Sequence, residues 1–144
     1  MARIQILGPD DAWQRLQGIL AWFEEVEKQG GYRAYYKQPG RGTLQGGGTA
    51  GGLGIDHEFM ESVMLPQTML YGFLGFHPDT EGFSLRPQLP TDWPELTVTR
   101  IHLHDHVFDI NVKQSTVTVT THKQGKRPLS IRVPSGYTLK NKNP

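Results

Sequence analysis

YGFLGFHPDTEGFSLRPQLP, residues 71–90, holds the change of hydrophobic period on which the architecture turns. Upstream of Phe76 the apolar residues recur at helical spacing. Downstream, from Phe83-Ser84-Leu85-Arg86, they alternate as in a half-buried strand. A chain that switches from a period of 3.6 to a period of 2 places helices first and a sheet second, which is the α+β class.

Working toward the N-terminus, residues Ile55 to Phe76 are apolar nearly all round, with Phe59, Met60, Val63, Met64, Leu65, Met69, Leu70, Tyr71, Phe73 and Leu74. A helix without a polar face is a buried helix. Asp56 is a candidate N-cap, Glu58 and Glu61 fall in the first turns, and Pro66 is expected to kink or split the helix after Met64. Before it, residues 32–54 carry eight glycines and form a long loop. A first helix is predicted near 11 to 28. Asp10 and Asp11 precede it, Trp13, Leu16, Ile19, Leu20, Phe23 and Val26 share one face, and Gly30-Gly31 ends it.

Toward the C-terminus, Leu96 to Leu103, Val107 to Val112, Thr116 to Thr121 and Leu129 to Val133 read as further strands, separated by turns rich in Pro, Asp and Gly. The expected architecture is two main helices packed against a small antiparallel β-sandwich of roughly five to six strands. The boundary falls at Phe76: residues 1–76 form a helical segment with the Gly-rich loop, and residues 77–144 form the sandwich.

Composition narrows the function. A net charge of +1, from 15 basic and 14 acidic residues, argues against nucleic-acid or anionic-membrane partners. The basic cluster Lys123, Lys126 and Arg127, with Lys140 and Lys142, reads as a solvated hairpin and tail. The absence of cysteine removes disulfides, thiolate nucleophiles and Cys-based zinc sites. Met1 to Gly8 fits neither a signal peptide nor a membrane span. As written, the chain is expected in the cytoplasm, with the compartment open if it belongs to a longer exported protein.

Three constellations carry chemistry. Gly46-Gly47-Gly48-Thr49-Ala50-Gly51 satisfies G-x-G-x-x-G by letter but lacks the strand before it and the acidic residue after it. A loop bringing backbone amides near a ligand or another helix fits better, with Gly48 and Thr49 as candidate binding positions. His102, His104 and His106 alternate as metal ligands on one strand would. The plainer reading is favoured, with Asp105-His106 in a hairpin turn and the histidines as exposed polar positions, so neither a metal nor a cofactor is expected. Asp56, His57, Glu58 and Glu61 gather at the mouth of the buried helix. A carboxylate in a partly apolar cleft can activate water, which makes Asp56 and Glu58 candidate general bases and His57 and Glu61 candidate binding groups. From these residues alone, capping of the helix by Asp56 and a favourable dipole contact for Glu58 are the stronger reading.

The segment from Gly46 to Val112 resembles the end of the catalytic domain and the start of the C-terminal sandwich in six-hairpin (α/α)6 glycosidases, of the disaccharide phosphorylase and α-L-fucosidase types. Its most specific pieces are Tyr71-Gly72-Phe73-Leu74-Gly75-Phe76, then Phe83 to Pro90, and Trp93. The resemblance implies carbohydrate chemistry. It also implies a base in the Asp56 to Glu58 neighbourhood in inverting members, a role that phosphate takes in phosphorylases. An (α/α)6 barrel needs twelve helices and this chain supplies about two; the general acid across the scissile bond has no matching segment. The expectation is therefore a catalytically incomplete glycosidase-like unit, inactive alone. It would bind carbohydrate or assemble with a partner chain or with itself through Met60, Met64, Leu70, Phe73 or Leu74. The alternative is a free-standing structural or interaction module with no carbohydrate role.

Overall fold

The structure is a computed structural model that describes residues 2–35, 37–39 and 63–143. It divides into two compact units, one of Met1–Ala12 with Gln67–Pro144 and one of Trp13–Pro66.

Two helices open the chain, α1 (Ala2–Leu7) and α2 (Pro9–Lys28). Gly8, at φ +93°, separates them in a backbone conformation that side-chain-bearing residues rarely adopt. Pro9 takes the first position of α2, where its missing N–H costs nothing, and Asp10 and Asp11 lie in the first turn beside the positive end of the dipole. Asp10 also reaches across the chain. Its two carboxylate oxygens accept the Thr91 N–H at 2.6 Å and the Thr91 hydroxyl at 2.9 Å.

Within the second unit, α2 buries Leu16, Phe23 and Val26, a subset of the face expected from the spacing. Its C-terminus is a Schellman cap. The Gly31 N–H donates to Val26 O at 3.0 Å and the Gly30 N–H to Glu27 O at 2.9 Å, with both glycines at positive φ. A short helix α3 (Tyr32–Tyr35) follows, and Tyr35 packs edge-on against Trp22 with centroids 6.3 Å apart.

The second main helix does not split at Pro66. Residues 63–73 stay helical, with the three-residue α4 (Leu65–Gln67) running into a π-helix over Thr68–Phe73. The exposed Pro66 sits within α4 between wider π turns, whose longer hydrogen-bonded rings absorb the register change that a proline imposes. The last of these bonds runs from the Leu74 N–H to Met69 O, at 2.9 Å.

Seven strands then build two sheets: β1 (Phe76–Pro78), β2 (Gly82–Leu85), β3 (Leu96–Leu103), β4 (His106–Lys113), β5 (Thr116–Lys123), β6 (Ser130–Arg132) and β7 (Thr138–Lys142). Their orders are β1-β2-β6 and β3-β4-β5-β7. The expected α+β fold with a β-sandwich is therefore present. Pairing is antiparallel except for β2 with β6 and β5 with β7, which are parallel. The all-antiparallel expectation gives way there because the chain crosses to the other sheet after β5 and again after β6. Neither pair is joined by a hairpin, so nothing forces it to be antiparallel.

The core lies between the sheets. Phe76, Phe83 and Leu85 from the smaller sheet meet Ile101, Phe108, Ile110, Val112, Val117 and Val119 from the larger. Phe83 and Phe108 stack across the sandwich with centroids 5.2 Å apart and planes 12° from parallel. In β4 burial alternates strictly from His106 to Val112, as the sequence pattern requires.

The deciding stretch, 71–90, is the joint between the helix and the sandwich. Phe73 O accepts the Gln88 N–H at 2.8 Å, Gly75 O accepts the Arg86 N–H at 2.9 Å, and the Phe73 ring lies 4.9 Å from Trp93. Gly75 has φ +63°, and a Cβ there would lie 2.1 Å from Arg86 O, so only glycine fits. Phe73 and Leu74, which the sequence makes candidates for a self-association surface, are fully buried in the chain, Leu74 in the core cluster of the sandwich and Phe73 against Trp93.

Candidate functional site

Asp56, His57, Glu58, Glu61, Gly48 and Thr49 lie outside the described residues. Within the described residues, a polar constellation with a cleft beside it lies at one end of the sandwich, where three loops meet.

The first loop is the β1–β2 turn. Asp79 Oδ1 accepts the N–H groups of Glu81 and Gly82, each at 2.9 Å, while Oδ2 pairs with the Arg132 guanidinium on β6. The Glu81 N–H bond first, then that of Gly82 and the Arg132 charge, hold the Asp79 carboxyl below the ordinary aspartate range.

The second loop is the two-residue hairpin His104-Asp105, with Leu103 paired to His106. Both turn residues have positive φ, 47° and 66°, the type I′ signature that matches strand twist. The turn is thus one residue earlier than expected from sequence. That shift carries His106 into β4, at 5% exposure, in place of the exposed polar position that the sequence suggests. The His104 Nε2–H donates to Asp79 O at 2.6 Å and so joins the second loop to the first.

The third loop connects β5 to β6. The Gly125 N–H donates to His106 Nδ1 at 3.2 Å, so the ring proton resides on Nε2, which donates to Arg127 O at 2.9 Å. A buried imidazole thereby holds the backbone of residues 125–127 from both sides. Gly125 is required at this point, since a Cβ would lie 2.7 Å from both His104 O and the His106 ring. The Ser130 N–H bond to Glu81 O, at 2.9 Å, closes the circuit back to the first loop.

Between these loops lies a cleft of about 760 Å3 lined by Thr80, Glu81, His104, Asp105, Lys126, Arg127, Pro128, Leu129 and Ser130, a volume within the usual range for small-molecule sites. Sequence reasoning places Lys126 and Arg127 in a solvated hairpin and misses the cleft, whose walls come from segments some twenty residues apart. No group of three or more His, Asp or Glu side chains suited to a metal occurs among the described residues. No described helix is long and apolar enough to cross a membrane.

A second polar cluster sits on the outer face of the larger sheet. Two bulges flank Asp109: Thr99 and Arg100 lie opposite it on β3, and His122 is the extra residue on β5. The Arg100 N–H donates to Asp109 Oδ1 at 2.8 Å and His122 Nε2 lies 2.8 Å from Oδ2. These two bonds, that of Arg100 first, lower the Asp109 carboxyl below its ordinary range. The cluster ties both bulges to one carboxylate.

Among known protein families, residues 76–136 match the family model described as glycosyl hydrolase family 65, C-terminal domain. The matched segment begins at β1 and ends between β6 and β7, and it includes all three loops of the cleft. Curated proteins and solved structures gave no match. The sandwich is thus supported as a glycosidase-like C-terminal unit.

Proposed function

We propose that the chain is a catalytically incomplete C-terminal unit of a six-hairpin glycosidase-like protein, acting by binding carbohydrate or by assembling with a chain that carries the barrel. The observation that carries this reading is the match over 76–136, which lies on the sandwich and begins at the joint of the last helix. In this reading residues 1–76 are the end of the barrel and residues 77–144 the C-terminal sandwich. The α-L-fucosidase and disaccharide phosphorylase types are the relatives the resemblance favours.

Chemistry sets the limit on activity. Inverting hydrolysis of a glycoside needs a general acid and a general base on opposite sides of the bond, and phosphorolysis still needs the acid. Asp56 and Glu58 are candidates for the base alone, and Gly48, Thr49, His57 and Glu61 for contacts to a bound sugar. The partner is a carbohydrate, a barrel-bearing chain or a second copy. Among the described residues the exposed large apolar side chains are Ile6, Leu7 and Tyr71.

Co-expression with the reading frame immediately upstream, followed by co-purification and sedimentation, tests assembly. The reading expects a stable complex whose glycoside turnover exceeds that of either chain. A chain that binds neither a saccharide nor a barrel partner would favour a free-standing structural module instead.

A further inference from the structure

The cleft between the β1–β2 turn, the His104-Asp105 hairpin and the β5–β6 loop has fixed walls and unengaged side chains. Its backbone is cross-tied by four hydrogen bonds: His104 to Asp79 O, His106 to Arg127 O, Gly125 N–H to His106, and Ser130 N–H to Glu81 O. Against that frame, the side chains of Glu81, Asp105, Lys126 and Arg127 are exposed and make no hydrogen bond or ion pair among the described residues. Backbone held firm with polar side chains left unengaged is the arrangement that preorganises a binding site.

The lining also indicates the ligand. Lys126 and Arg127 supply donors only, Glu81 and Asp105 supply acceptors only, and Thr80 and Ser130 supply hydroxyls. The two positive and two negative charges balance, so the cleft selects neither an anion nor a cation. What matches it is a neutral molecule whose groups both donate and accept, with a less polar face to lie on Pro128 and Leu129. Sugar hydroxyls do the first and the C–H face of a pyranose does the second.

We propose that this cleft binds a neutral mono- or disaccharide, with Glu81 and Asp105 accepting from its hydroxyls and Lys126 and Arg127 donating to them. The proposal rests on the glycosidase-like reading above and locates its carbohydrate contact on the sandwich. No aromatic platform lines the cleft, so the affinity is modest and hydrogen bonding dominates it.

The test is titration of the 15N-labelled full chain with glucose and maltose up to tens of millimolar, followed by amide shifts. Inorganic phosphate and glucosamine serve as charged comparators. The expected result is saturable shifts at Glu81, Asp105 and residues 126–130, with either Asp105→Asn or Arg127→Gln weakening binding about tenfold, the loss expected for one charge-assisted hydrogen bond. Asparagine tolerates the positive φ of position 105, and both positions are exposed, so the fold is retained. Lys140→Gln, on β7, should change nothing. Sugar binding that maps elsewhere, or ignores both variants, overturns the site and leaves the carbohydrate reading standing. Preferential binding of phosphate, or no shift with any sugar, overturns the proposal, while assembly with a barrel chain is judged by the separate co-expression experiment.

Discussion

Replacing Gly75 with alanine tests the joint between helix and sandwich. Three costs fall on one methyl group. The backbone at φ +63° costs a side-chain-bearing residue about 1–2 kcal/mol. The new Cβ would lie 2.1 Å from Arg86 O, and relieving that overlap by moving packed backbone costs about 1–3 kcal/mol. Moving Arg86 away breaks its N–H bond to Gly75 O, worth about 1 kcal/mol. Together these reach roughly 3–6 kcal/mol, a large part of the total stability of a typical domain. Gly136→Ala is the matched control, because it has φ +88° but open space around the Cβ, so it should lose only the backbone component, about 1–2 kcal/mol. Urea unfolding followed by tryptophan fluorescence measures both, with Trp93 against Phe73 as the reporter at the joint. Equal losses for the two variants would refute the claim that close approach, rather than backbone conformation alone, fixes glycine at position 75.

Three further outcomes are expected. Phe83→Ala, which empties a fully buried position stacked on Phe108, should cost about 3–5 kcal/mol in urea unfolding; a loss under about 1 kcal/mol would mean that the two sheets do not share this core. Gly125→Ala should lower the melting temperature and shift the His106 ring resonances, since its Cβ would overlap the imidazole; unchanged His106 signals would rule out the assigned loop clamp. Asp109 titrates below its ordinary range when folded, so it stabilises the fold above the unfolded-chain pKa of about 3.9, and that contribution is lost as pH falls through its lower folded pKa. Asp109→Asn should therefore flatten the loss of stability below about pH 4, and a curve parallel to the wild type would contradict the bond from Arg100.

Much of the fold was legible because local rules and tertiary packing agree. The Gly30-Gly31 cap and the Thr-Val alternation of β5 follow from sequence. Two strands were missed for identifiable reasons. β7 contains Lys140, Asn141 and Lys142 and is exposed along almost its whole length as an edge strand, so it shows no alternation. β1 is three residues ending in Pro78. Pro66 does not split the helix, because residues 63–73 stay helical around it, in part as wider π turns. The cleft was not legible at all. His106 is buried only because the hairpin turns at His104-Asp105, and the role of Gly125 depends on where that ring lies. Lys126 and Arg127 looked like solvated charge because their opposing walls, Glu81 and Asp105, are set by strand register rather than by spacing in the chain.

Turnover of common glycosides by the chain alone, with and without inorganic phosphate, decides whether the chain is catalytically incomplete. Neither hydrolysis nor phosphorolysis is expected, because a single candidate base cannot supply the acid that departure of the sugar requires. Turnover by the purified chain that disappears in Asp56→Asn or Glu58→Gln would contradict that expectation, and would show that this chain carries a working catalytic group.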